Sequence, residues 1–183
     1  MRNLHRVLAL AIVMILPAAS HAQDTMRPIP LNEPSKWRYF SDQVMGGVSE
    51  GSASFVESGG ETVLRLSGKV STENRGGFIQ ARANLEMPLP AQAQGVVLEM
   101  RGDSQTYFVH LRTGQTLLPW QYYQASFEAT EVWQEIRIPF EDFKPSGPLL
   151  SRSFDAGSVR SIALVAFGRD HTADLTARAV GFY

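Results

Sequence analysis

Short alternating segments set between turn residues constrain this chain more than any other feature. In residues 62–70, Leu64 and Leu66 share one face while Arg65, Ser67 and Lys69 share the other. In residues 78–85, Ile79, Ala81, Ala83 and Leu85 oppose Gln80, Arg82 and Asn84. The same period of two runs through 95–101 (Val96, Leu98, Met100 against Val97, Glu99, Arg101) and 106–112 (Tyr107, Val109, Leu111 inward). It continues in 120–128, with Tyr123, Ala125 and Phe127 on one side and Tyr122, Gln124 and Ser126 on the other. A period of two is the mark of strands buried on one face only. Residues 52–56, 133–138 and 174–182 read as further strands, the last with Leu175, Ala177 and Ala179 together, and 159–167 is apolar on both faces, as a central strand is.

Roughly nine or ten such strands, with turn signals between them and no long helical period, predict an all-β sandwich. A jelly roll is the natural form, because it divides about eight strands or more between two sheets. Residues 37–183 then form one domain, Phe140 and Phe143 flank a single helical turn, and the proline-containing stretch 23–36 is an extended lead-in.

The first 22 residues have a different logic. Arg2, His5 and Arg6 give a basic start, residues 7–16 are uninterruptedly apolar, and the run Ser20-His21-Ala22 has small residues at the two positions a signal peptidase reads. The apolar run is shorter than the about 20 residues of a membrane span. The expectation is export, cleavage after Ala22, and a periplasmic or secreted domain with no transmembrane segment. Cysteine is absent, which excludes thiolate catalysis and thiolate metal sites. The processed chain is mildly acidic and has no basic run, which argues against nucleic acid or an anionic membrane surface as partner.

Two glycine-rich stretches interrupt the strands: residues 42–49 (Asp-Gln-Val-Met-Gly-Gly-Val-Ser) and 74–78 (Asn-Arg-Gly-Gly-Phe). As isolated turns, Asp42 and Asn74 would bond their own backbone, and Gly46, Gly47, Gly76 and Gly77 would supply left-handed conformations. Alternatively the two stretches meet and make a rim for a partner, with Met45 and Phe78 as apolar members.

A second candidate surface depends on register. If the strands at 78–85, 95–101, 106–112 and 120–128 share a sheet, its polar face carries Gln80, Arg82, Arg101, His110, Arg112, Tyr122 and Gln124. A ring beside planar hydrogen-bonding groups furnishes a sugar groove or a site for a polar peptide; an ordinary solvated face would show the same residue types. Trp120, at a loop end after Pro119, is a candidate for the groove rim. Catalytic patterns are thin. Ser126, His110 and Asp103 can be drawn as a triad, but no nucleophile-elbow glycines surround the serine. The glycine pairs do not open a helix, so no nucleotide-phosphate loop is expected. Glu99 and Glu135 read as exposed strand positions, and Asp170 and Asp174 are too sparse a set for calcium. No metal and no cofactor is expected.

Taken in order, Trp37, the run 42–49, Gly68, the run 73–78, Arg101-Gly102-Asp103, Tyr107, Tyr123-Gln124-Ala125, Phe127, Trp133, Ile138-Pro139-Phe140 and Phe143 resemble the complex I intermediate-associated protein 30 family. The resemblance covers residues 37–183. It implies a galactose-binding-like jelly roll and a non-enzymatic role, since family members in mitochondria assist assembly of respiratory complex I. Relatives of that fold include carbohydrate-binding modules. The expectation is therefore a binding module with a protein partner, such as a membrane respiratory complex, or with a glycan as the alternative ligand.

Overall fold

A computed structural model describes residues 27–183; the leader segment 1–22 and its cleavage point lie outside these residues. Twelve strands follow in chain order: β1 (Arg27–Pro28), β2 (Trp37–Ser41), β3 (Glu50–Ser58), β4 (Glu61–Val70), β5 (Phe78–Asn84) and β6 (Gly95–Gly102), then β7 (Gln105–Thr113), β8 (Tyr123–Ala129), β9 (Gln134–Pro139), β10 (Lys144–Pro145), β11 (Val159–Phe167) and β12 (His171–Phe182). The helical segments among the described residues are single 3-10 turns, one of them Phe140–Asp142, between the two phenylalanines as expected.

The strands form two six-stranded antiparallel sheets. One has the order β3-β4-β12-β6-β9, with β1 joining β12 beside Gly181 and Phe182 where β4 leaves off. The other runs β10-β8-β7-β11-β5-β2. This is the all-β jelly-roll sandwich that the alternation predicts. Between the sheets lie Leu64, Leu66, Leu98 and Met100 from the first, and Ile79, Tyr107, Leu111, Tyr123, Ile162 and Leu164 from the second. Burying each such side chain contributes about 1.5–3 kcal/mol. β11, apolar on both faces, is central between β7 and β5.

Three local expectations change. Ala179 does not share a face with Leu175 and Ala177, because a bulge between Ala177 and Ala179 shifts the register and turns Val180 and Phe182 inward instead. Val97 is buried rather than exposed, since β6 lies inside its sheet beside Arg137, which is stacked on Tyr183. Residues 27–36 of the lead-in pack as part of the sandwich: Ile29 and Leu31 are buried, and the Trp37 indole donates to the Pro30 carbonyl at 3.0 Å.

Tyr107 carries one of the few polar groups of the core. Its hydroxyl donates to Asp103 (2.7 Å) and accepts from the Asp174 amide (2.8 Å), so the buried oxygen is satisfied. Burial, then the Asp103 carboxylate, pushes its ionisation well above the usual tyrosine range.

Candidate binding sites

The two glycine stretches meet at Asp42. β2 ends in a 3-10 turn, Asp42–Met45, closed by Gly46 in the left-handed region (φ 90°) and by the Gly47 amide on the Asp42 carbonyl at 2.9 Å. The Asp42 side chain is fully buried. One carboxylate oxygen accepts from the Ser49 amide (2.9 Å), and the other accepts from the Ser49 hydroxyl (2.5 Å) and the amides of Gly77 (2.5 Å) and Phe78 (3.2 Å). Ser49 Oγ in turn accepts from the Ser71 amide at 2.9 Å. Burial alone would raise the Asp42 carboxyl, but these donors hold it below the usual carboxylate range. Asp42 is thus a clasp between two turns, not a side chain bonding only its own turn. A Cβ at Gly47 or Gly76 would run into this carboxylate, which explains a glycine at each position. Asn74 contributes a left-handed backbone (φ 55°), as does Arg75 (φ 62°). Outside the clasp Val44, Met45 and Val48 are exposed, beside a second turn whose Asn74 and Arg75 are exposed as well. Phe78 is half-buried at the start of β5, paired with Phe167.

The outward face of the β10-β8-β7-β11-β5-β2 sheet is the second candidate. Register places Arg38, Arg82, Ala163, His110, Gln124 and Lys144 in one row across all six strands. The adjoining row holds Phe40, Gln80, Val165, Phe108 and Ser126. On the other side Arg112 stands opposite Ser161, which pairs with Asn84. Tyr122, just before β8, stacks on the His110 ring at 3.9 Å and 8°, and Phe167 meets that ring edge-on at 5.8 Å. The Arg82 guanidinium lies 4.8 Å from the centre of the Phe40 ring. Burial, reinforced by Arg82, lowers the His110 imidazole to about 3, so it is neutral at ordinary pH. His110 and Gln124 face each other across β7 and β8, and among the described residues neither His110 Nε2 nor Gln124 Oε1, both buried, makes a hydrogen bond of good geometry.

Of the residues expected here, Gln80, Arg82, His110, Arg112, Tyr122 and Gln124 come together and Arg101 does not. β6 pairs with β12 and β9 in the opposite sheet, where the Arg101 guanidinium rests on Trp133 at 4.9 Å. Arg112 is partly occupied, donating to the carbonyls of Thr116 and Leu118 at 3.0 Å each and so bracing the loop that carries the exposed Trp120. Arg38, Phe40, Phe108, Phe167 and Lys144 are members that sequence reasoning missed. Alternation across residues 37–41 was the available signal for the first two. Lys144 lies on a two-residue strand too short to show a period.

The imagined triad does not assemble. Asp103 is bonded to Tyr107 and Gln105, on the other side of β7 from His110. Asp170 binds Thr72 and Asp174 binds Arg65; among the described residues no group of three or more His, Asp or Glu is placed to hold a metal. Glu99 and Glu135 pair with Arg178 and Arg137. Among these residues no helix is long and apolar enough to cross a membrane.

Comparison with known proteins gives a family and a fold. The model of the family described as Complex I intermediate-associated protein 30 matches residues 28–175. No curated protein matches. Among solved structures, the family 11 carbohydrate-binding module of the cellulosomal cellulase Lic26A-Cel5E of Clostridium thermocellum is similar at 14% identity, with a TM-score of 0.66 over 80% of this chain and 86% of that one. The same organism's family 11 module in complex with a β-1,3-1,4-mixed-linked tetrasaccharide is similar at 14% identity, TM-score 0.65, over 80% and 88%. A family 30 module of its cellulase Cel9D-Cel44B is similar at 14% identity, TM-score 0.59, over 81% and 91%. At these identities the likeness is one of fold.

Proposed function

The chain belongs to the Complex I intermediate-associated protein 30 family, and on that premise we propose that it is an exported, non-enzymatic binding module that docks on a protein partner. The family's description points to a respiratory assembly, and the leader segment, read as a signal peptide, favours an encounter on the exported side of the membrane. The observation that supports docking at the clasp is the exposure of Val44 (73%) and Met45 (63%) on a turn whose backbone is fixed by buried Asp42. An apolar tip that is already ordered loses little conformational freedom on binding. The test is affinity capture from the membrane and envelope fraction with the protein and its Val44→Glu/Met45→Glu variant. Respiratory-chain subunits recovered by the first and lost by the second, with unchanged melting, support the reading. Equal recovery by both, or none by either, refutes it. Export itself is tested by fractionation and the N-terminal mass, which should begin at Gln23.

A second reading, glycan binding, is favoured by the outward sheet face. There rings (Tyr122, Phe40) and planar polar groups (Arg82, Gln80, Gln124) stand in adjoining rows. The similar carbohydrate-binding modules lend it support of fold.

A further inference from the structure

Charge on the sheet face is unbalanced. The central row carries Arg38, Arg82 and Lys144, and no acid stands in it. Glu128 lies on the same face only towards the far end of β8, and Glu86 beyond β5 is held by Lys36. Among the described residues Arg82 has no carboxylate and no hydrogen-bond acceptor; its guanidinium faces the Phe40 ring, half-buried. Among the same residues Lys144 reaches the carbonyl of Glu141, at 3.1 Å. For Arg82 the Phe40 ring offsets part of the hydration lost on burial, and no described carboxylate offsets the rest.

The open part of this face is its β2–β5 side, where Arg38, Phe40, Arg82 and Asn84 line a concavity with Lys36 and Glu86 at its edge. Inward of it Ala163, Val165 and His110 are covered by their neighbours, and the Tyr122 ring stacks on His110 beyond. His110 and Gln124 pair in register beside it, with His110 Nε2 and Gln124 Oε1 buried from solvent. Across six strands the row spans about 24 Å at the usual strand spacing.

We propose that this concavity and the face beside it bind an acidic polysaccharide, one whose sugar rings carry carboxylates, laid across the strands with a carboxylate on Arg82. Arg38 and Lys144 receive the flanking acidic groups, and Phe40 and Tyr122 support ring faces. This rests on the reading of the face as a glycan surface and is independent of docking at Met45. A peptide is the weaker fit, because extended peptides pair with free strand edges whereas this row crosses strands already paired.

The test is calorimetric titration of the protein with four probes: an oligogalacturonate, its methyl ester, a mixed-linked β-1,3-1,4-glucan tetrasaccharide, and a polyglutamate peptide of matched charge. The oligogalacturonate should bind about tenfold or more tightly than its ester, as loss of a charge-assisted bidentate bond requires. Arg82→Gln should lose that margin. The exposed pair Arg38→Gln/Lys144→Gln, which carries no fold risk, should weaken binding and flatten its salt dependence. Met45→Glu should bind normally. Equal binding of ester or glucan overturns the acidic assignment but leaves a glycan surface. Equal binding of polyglutamate overturns it in favour of a generic anion surface. No binding of any sugar overturns both the inference and the glycan reading.

Discussion

Replacing Asp42 by Asn tests whether one carboxylate holds the two glycine turns together. Every group facing Asp42 is a donor: the amides of Ser49, Gly77 and Phe78 and the Ser49 hydroxyl. An asparagine must turn its NH2 towards one of them. The least costly choice faces the Ser49 amide, because the other oxygen serves three donors. One buried N–H is then orphaned, at about 1–3 kcal/mol. The three remaining bonds lose their charge assistance, which roughly halves their strength. We expect a loss of about 2–4 kcal/mol, or roughly 5–15 °C in Tm for a domain of this size. Urea unfolding followed by tryptophan fluorescence should show a lower midpoint with an unchanged slope. Because the carboxyl is held below its ordinary range, its contribution is complete above a pH of about 4 and is lost as the pH falls through its folded value. The gap between the two proteins should therefore narrow on acidification. A variant that melts within about 1 °C of the parent at neutral pH, or a gap that widens in acid, would refute the clasp.

Tyr107→Phe should cost about 1–3 kcal/mol by chemical denaturation, since it strands the Asp103 oxygen and the Asp174 amide; no change would mean that water replaces the hydroxyl. His110→Phe probes a neutral buried imidazole. Its folded value lies below the unfolded one of about 6.5, so the unfolded chain binds the extra proton and the protein weakens as pH falls from there, by up to about 1.4 kcal/mol per unit from this group. The difference between parent and variant, measured by urea midpoints at several pH values, should change across that window and be flat above it. Arg65→Ala should cost less than about 1 kcal/mol in thermal melts, although its pair with Asp174 is bidentate, because both side chains are near half-exposed.

Much of the sandwich was readable because its strands obey a strict period. β7 and β8 have the predicted inward sets, Tyr107, Val109 and Leu111 against Tyr123, Ala125 and Phe127, since each strand has one buried face. The period fails where the chain carries an extra residue: nothing in 174–182 announces a bulge, so strict alternation puts Ala179 on the wrong face. Sheet membership was equally illegible. Arg101 and Arg82 occupy outward positions on similar strands, and only non-local pairing sends one to each sheet. The clasp was half visible. Residue types marked Asp42, Gly47, Gly76 and Gly77 as turn chemistry, but a contact across more than thirty positions, here Asp42 to Gly77, leaves no periodic trace.

The last strand is also the middle one. β12 lies between β4 and β6 and pairs with β1 as well, so every central hydrogen-bond ladder of that sheet waits for residues 171–182. Until that segment is in place, the β3–β4 hairpin and the β6–β9 pair are two halves with no ladder between them. Such late, long-range closure is slow. The two halves of the sheet are thereby joined last, and pulse-labelled amide exchange should show the β4 and β6 amides that face β12 protected only together with it.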